Sequence, residues 1–291
     1  MGIDRHLWRA GRCPSACGKG IMSGTQFLDR PGGMLAYTVA GEGPLVVCSP
    51  GLGDLRSTFT DLTRLLVAGG LRVAAVDLRG HGESSAKWPS YTESDVADDL
   101  LAVSRALHDR PAVLLGNDYS GSAAVIAAAK APDAVAGIVL SRAFVRDRPH
   151  NPMEEAILHL VGMPGLGRAL WMSYWPTLFG TVKPANFEKR RQELAASLAE
   201  SGRFNAVRDM LKGGHAAAER ALPDVGCPAL VVAGDTDPDI PDPASEACAT
   251  AVRLGGPATV LMVPGAGHYP HAEDPGRVAL AVVAFVRDLW P

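Results

Sequence analysis

Residues 112–129 read Ala-Val-Leu-Leu-Gly-Asn-Asp-Tyr-Ser-Gly-Ser-Ala-Ala-Val-Ile-Ala-Ala-Ala, and this stretch decides the fold. Ala112–Leu115 is a short apolar run of the kind found in strands buried on both faces. From about Ser120 to Ala129 the alanines predict a helix. Only a few small or polar residues separate the two, so strand passes into helix through one tight turn. Reading outward, the same alternation recurs. Two short strands flank Arg30-Pro-Gly-Gly, and Leu45–Cys48 is a further apolar run. Phe59, Leu62, Leu65 and Leu66 share a helical face closed by Gly69-Gly70. Leu71–Val76 is a strand, Val96–Leu107 a helix and Gly137–Leu140 a strand. Strands alternating with helices imply a mostly parallel sheet covered on both faces, an α/β fold.

Between about Arg148 and Leu222 the alternation stops. Only helical patterns remain (Ile157–Val161, Leu166–Trp175, Phe187–Leu198, Phe204–Leu211), broken by Pro152, Pro164, Pro176, Pro184 and Gly213-Gly214. Strand and helix then resume with Ala229–Ala233, a helix over Ala244–Val252, Thr259–Val263 and an amphipathic helix from Gly276 to Trp290. The division expected is a disordered N-terminal extension over 1–23, a core of 24–147 and 222–291, and a helical insertion over 148–221.

At 291 residues, 47% apolar and 20% charged, the chain can bury a substantial core. A net charge of −3 with both signs interspersed makes nucleic acid, membrane surfaces and charged polymers poor partners. The longest apolar stretch, Val278–Val286, is far short of the roughly 20 residues that cross a bilayer. The charged residues of Met1–Arg9 do not suit a signal peptide, and five cysteines are an odd number for a disulfide framework. The expectation is a cytoplasmic protein with reduced thiols. Cys13 and Cys17 are spaced like metal ligands, but no second Cys or His pair follows within reach, so no metal is expected.

In a parallel sheet, chemistry gathers just beyond the C-terminal ends of the strands. Four segments stand there: Ser49-Pro-Gly-Leu-Gly-Asp54, Gly116-Asn-Asp-Tyr-Ser-Gly121, Gly234-Asp-Thr-Asp237 and Gly265-Ala-Gly-His268. With Asp77-Leu-Arg-Gly-His-Gly-Glu-Ser84, they make the chain from about Gly24 onward resemble the α/β-hydrolase superfamily. That resemblance implies an eight-stranded, mostly parallel sheet with a helical lid inserted after strand 6. It also implies a nucleophile at the apex of a G-x-S-x-G-like elbow, flanked here by the small residues Gly116 and Ser120. The apex residue is Asp118 and not serine, which looks like the branch containing epoxide hydrolases and haloalkane dehalogenases.

The chemistry of that substitution stands on its own. A carboxylate is ionised at neutral pH and can displace a leaving group at saturated carbon, forming an alkyl ester. By the positions that the resemblance implies, His268 then activates water against that ester, Asp237 orients the imidazole, and the N–H groups of Leu52 and Tyr119 form the oxyanion hole. His271 stands nearer the next helix and is the second choice, and Asp147 is the nearest acid for an arrangement with the acid after strand 6. Aspartate is also a favoured N-cap, which is the plain structural alternative for Asp118. In the lid, Tyr174 could donate to an epoxide alkoxide, and Trp171 or Trp175 to a halide; equally, the three could form the lid's own core. Tyr119 directly after the aspartate, where many dehalogenases of this branch carry Trp, tilts the choice toward epoxide. The resemblance thus implies a cofactor-free epoxide hydrolase taking an apolar or aromatic epoxide, by analogy in a natural-product pathway. The alternatives are a haloalkane or haloacid dehalogenase with the same Asp118, a serine esterase using Ser120 or Ser122, and a non-hydrolytic binding protein.

Overall fold

A computed structural model describes residues 24–107, 110–143, 145–146, 160–161, 163 and 166–290. The expectations for residues 1–23, for Asp147 and for most of the Ile157–Val161 helix fall outside them. Eight strands form one sheet: β1 (Gln26–Arg30), β2 (Gly33–Ala40), β3 (Leu45–Ser49), β4 (Arg72–Val76), β5 (Ala112–Asn117), β6 (Val135–Ser141), β7 (Ala229–Gly234) and β8 (Ala258–Val263). Their spatial order is β1-β2-β4-β3-β5-β6-β7-β8; β1–β2 and β2–β4 pair antiparallel, and every later pair is parallel.

The central strands are apolar throughout because both faces are covered, and residue parity assigns each side chain to a face. Leu45, Val47, Ala112 and Leu114 pack beneath α2 (Glu93–Leu107) and α3 (Tyr119–Lys130). Val46, Cys48, Val113 and Leu115 pack on the opposite face with Leu62 and Leu66 of α1 (Thr60–Ala68) and with Val278, Val282 and Val286 of the C-terminal helix Pro275–Leu289. The glycine stop after α1 takes the expected form. Gly70 adopts φ +85°, and Leu71 N–H returns to the Leu66 carbonyl at 3.1 Å, a Schellman closure.

Between β6 and β7 the described residues form helices over Gly167–Tyr174, Phe187–Ala199, Arg203–Leu211 and Ala216–Ala221. The last has no apolar periodicity and was not expected from the sequence. These helices carry a cluster of their own, with Trp171, Trp175, Leu178, Phe179, Leu194, Leu198 and Val207 buried together with Leu55 and Tyr269. The segment therefore rests on the loops after β3 and β8, over the ends of the parallel strands.

Candidate active site

Strand β5 ends at Asn117 and α3 begins at Tyr119, leaving Asp118 alone to turn the chain. It does so at φ 48°, ψ −117°, backbone that L-residues enter only under local constraint, at a cost of about 1–3 kcal/mol. The small flanks follow from that geometry. A Cβ on Gly116 would stand 2.2 Å from the Ser120 carbonyl oxygen, and one on Gly51 would stand 2.8 Å from the Asp118 Cβ. The Asp118 side chain makes no capping bond to α3, so the cap alternative does not describe it. The side chain is nearly buried, at 9% exposure.

Asn117 and Ser141 are partners across the parallel β5–β6 pair, so the residues that follow them, Asp118 and Arg142, emerge side by side. Both take positive φ, 48° and 50°. The Arg142 guanidinium is buried and meets three carboxylates: Nη1 is 3.3 Å from Asp118 Oδ1, Nε is 2.5 Å from Asp237 Oδ2, and Nη2 is 3.2 Å from Asp239 Oδ2. Burial alone would depress the guanidinium pKa, but Asp237, Asp239 and Asp118 hold it raised.

His268 stands in the same cluster. Its Nε2 is 3.9 Å from Asp118 Oδ1, and its Nδ1 is 3.6 Å from Asp239 Oδ2 and 3.9 Å from Asp237 Oδ2. These are ion-pair distances. Nδ1 has no partner at hydrogen-bond length among the described residues. Of the two acids, Asp239 is the nearer, and Asp237 instead spends Oδ2 on Arg142 and Oδ1 on the Asp239 N–H at 2.9 Å. Burial would raise the Asp239 pKa, yet His268, Arg142 and the Tyr174 hydroxyl hold it well below the usual carboxylate range. Asp237, Asp239 and His268 also offer ligand atoms within 4.8 Å of one another, but Arg142 already supplies positive charge to both carboxylates.

The loop after β3 lies against the elbow. Leu52 follows Gly51, and among the described residues neither its N–H nor that of Tyr119 is taken by a protein acceptor. Gly53 is held on both sides: its N–H donates to His81 Nε2 at 2.9 Å, and its carbonyl accepts from Trp171 Nε1 at 3.1 Å. His81 Nδ1 in turn donates to the Arg79 carbonyl at 3.1 Å, so the ring is neutral. Burial lowers its pKa to about 4.

The three aromatic residues expected at a leaving group are thus separated in role. Trp171 has given its N–H to Gly53. The Tyr174 hydroxyl donates to Asp239 Oδ1, and burial with Asp239 raises its pKa. Trp175 is fully buried, stacked on Phe187 at 5.3 Å, with an unpartnered N–H. His271 is also buried, bonded to Thr58 and Ser141 at 3.0 Å each. Ser120 donates to the Pro50 carbonyl and Ser122 lies 3.5 Å from His215; both are fully buried in α3. Sequence reading missed Arg142, and its signal was available: Arg142 directly follows β6, the same placement that singled out the other loops.

The alpha/beta hydrolase family model matches residues 46–282. The chain is 26% identical over 251 residues, 84% of its length and 89% of the relative's, to a 2-(acetamidomethylene)succinate hydrolase of Mesorhizobium japonicum. It is 29% identical over 145 residues to bifunctional epoxide hydrolase 2 of Sus scrofa, a match covering 48% of this chain and 26% of that protein. Among solved structures, haloalkane dehalogenase DbeA from Bradyrhizobium elkani superposes with a TM-score of 0.76 at 20% identity, over 92% of this chain and 99% of that one, a likeness of fold. The chain belongs to the alpha/beta hydrolase family, and it is a hydrolase. Among the described residues no helix is long and apolar enough to cross a membrane.

Proposed function

We propose that this hydrolase opens an apolar or aromatic epoxide to a vicinal diol through a covalent ester on Asp118. One observation carries the reading: a carboxylate, where esterases need a hydroxyl, occupies the strained apex of the elbow with the His268 imidazole 3.9 Å away. In the first half-reaction a carboxylate oxygen attacks an epoxide carbon, the ring C–O bond breaks, and the resulting alkoxide takes a proton. Tyr174 is the donor we assign, its hydroxyl exchanging Asp239 for the alkoxide. In the second, His268 Nε2 removes a proton from water, which attacks the Asp118 carbonyl carbon. The N–H groups of Leu52 and Tyr119 hold the tetrahedral oxyanion, and Asp239 with Asp237 stabilises the imidazolium. Collapse breaks the ester C–O bond, the leaving diol oxygen takes the proton from the His268 imidazolium, and the Asp118 carboxyl returns its proton to the Tyr174 phenolate, which restores carboxylate, imidazole and phenol. The helices between β6 and β7 act as the lid over this reaction, and residues 24–147 and 222–291 form the core beneath it.

The test is to mix His268→Gln protein with a panel of alkyl and aryl epoxides and weigh it. Ester formation does not need the histidine, whereas ester hydrolysis does. An adduct on Asp118 equal to the whole mass of the epoxide is expected. An adduct from chloroalkanes with release of chloride would assign the dehalogenase reaction instead. Labelling of Ser120 or Ser122 by a fluorophosphonate, or no adduct from any electrophile, would overturn the proposal.

A further inference from the structure

Arg190, in the helix Phe187–Ala199 that lies between β6 and β7, is 3% exposed and 3.0 Å from Asp54 Oδ2. Its other neighbours fix it in place. The guanidinium carbon lies 5.5 Å from the ring centroids of Trp175 and Phe179 and 5.6 Å from that of Tyr269, so aromatic faces surround the charge. Nη2 also donates to Thr58 Oγ1 at 2.7 Å. Since that hydroxyl accepts from a cation, its own proton goes to His271 Nε2 at 3.0 Å, leaving His271 Nδ1–H to donate to Ser141 Oγ at 3.0 Å. A buried chain of polar groups therefore runs from the inserted helices to the end of β6, beside Arg142.

Asp54 terminates the turn that carries Leu52. Its N–H returns to the Gly51 carbonyl at 3.3 Å, and its Oδ1 accepts from Leu55 N–H at 2.8 Å. One residue earlier, the Gly53 carbonyl accepts the Trp171 indole, also from the inserted helices. A Cβ on Gly53 would lie 2.4 Å from the Trp171 ring, which shows how closely the two are seated. Two successive residues of the loop are thus held by two side chains that do not belong to the sheet.

We infer that Arg190 and Trp171 are positioning residues that set the Leu52 N–H for the oxyanion of ester hydrolysis, so that the hole is complete only when the inserted helices are seated. This rests on the proposed Asp118 ester. Ester formation makes no use of the hole's donors as the tetrahedral step does, and the two half-reactions should therefore respond differently. Loss of a single oxyanion donor slows such steps by about 10²–10³. Displacement of one donor should cost less, about tenfold.

The variants are Trp171→Phe, which keeps the ring and removes the N–H, and Arg190→Gln. In hydrogen-exchange mass spectrometry of the free proteins, peptides spanning residues 50–56 should exchange about tenfold faster in both variants, with β5 and β6 unchanged. In single turnover with an epoxide that loads Asp118, ester breakdown should fall about tenfold while loading changes by less than about threefold. Unchanged exchange in Trp171→Phe, or equal slowing of loading and breakdown, would overturn the inference. If wild-type protein forms no ester, the functional reading fails, while the exchange data still judge whether these residues hold the loop.

Discussion

At the scale of single residues, Arg142 is the cation about which the acids are arranged. A buried charge deprived of its partner costs about 3–5 kcal/mol, and Arg142 stands between three carboxylates. Arg142→Gln should therefore lower stability by about that amount in urea denaturation, and Arg142→Lys by less, since a lysine keeps the charge and loses the fork. Equal stability of all three proteins would show that the carboxylates find other compensation. Asp237 and Asp239 are predicted to separate in the same way. Asp237 is tied to Arg142 and to the Asp239 N–H, whereas Asp239 is the acid nearest the His268 ring and is held ionised. Asp239→Asn should slow ester hydrolysis by at least about 10² with a small change in melting temperature, and Asp237→Asn should first lower stability. The reverse ranking in paired kinetic and thermal measurements would return Asp237 to the role that the resemblance implied for it.

At the scale of elements, the strand, turn and helix around Asp118 form one unit. The sequence showed it plainly because an apolar run, a small-residue turn and an alanine-rich helix are local patterns. The glycine requirement is steric: the Gly116 Cβ position is filled by the Ser120 carbonyl at 2.2 Å, and backbone does not yield as a flexible side chain does. Gly116→Ala should therefore cost several kcal/mol or prevent folding, whereas Gly226→Ala, where a new Cβ meets nothing within 4 Å, should be nearly silent. Circular dichroism melts of the two variants decide it. What stayed illegible were pairings between elements. Arg142 reads as one charged residue after a strand, and only the parallel register, with Asn117 beside Ser141, places it against Asp118. Trp171 and Trp175 lie in the helical segment between β6 and β7, but which indole is committed to a backbone carbonyl depends on a contact 118 residues away in sequence.

At the scale of the whole molecule, the mostly parallel character of the sheet follows from the alternation, while the polar groups buried in the fold decide how stability responds to acid. His81 and His271 are both fully buried. Burial lowers the His81 pKa from 6.5 to about 4, and burial with the Arg190 charge lowers that of His271 well below 6.5. A base whose folded pKa is depressed leaves the unfolded chain holding more protons, so stability falls as pH drops below 6.5. Between 6.5 and about 4, His81 contributes close to one extra proton in the unfolded state, about 1.4 kcal/mol per pH unit, and His271 adds with the same sign. Asp54 and Asp77, raised mainly by burial, act in the opposite direction and reduce the slope at the acid end. The urea midpoint should therefore fall steadily from pH 7 to pH 5. His81→Gln retains a neutral acceptor for the Gly53 N–H but does not titrate, so it should flatten that fall by about 1.4 kcal/mol per unit. In the folded protein the His81 ring stays neutral down to about pH 4, so its bond from the Gly53 N–H, and with it the loop that carries Leu52, should persist from pH 7 to pH 5. A midpoint independent of pH between 7 and 5, or a His81→Gln protein with the wild-type slope, would show that these rings are not the groups that titrate on unfolding.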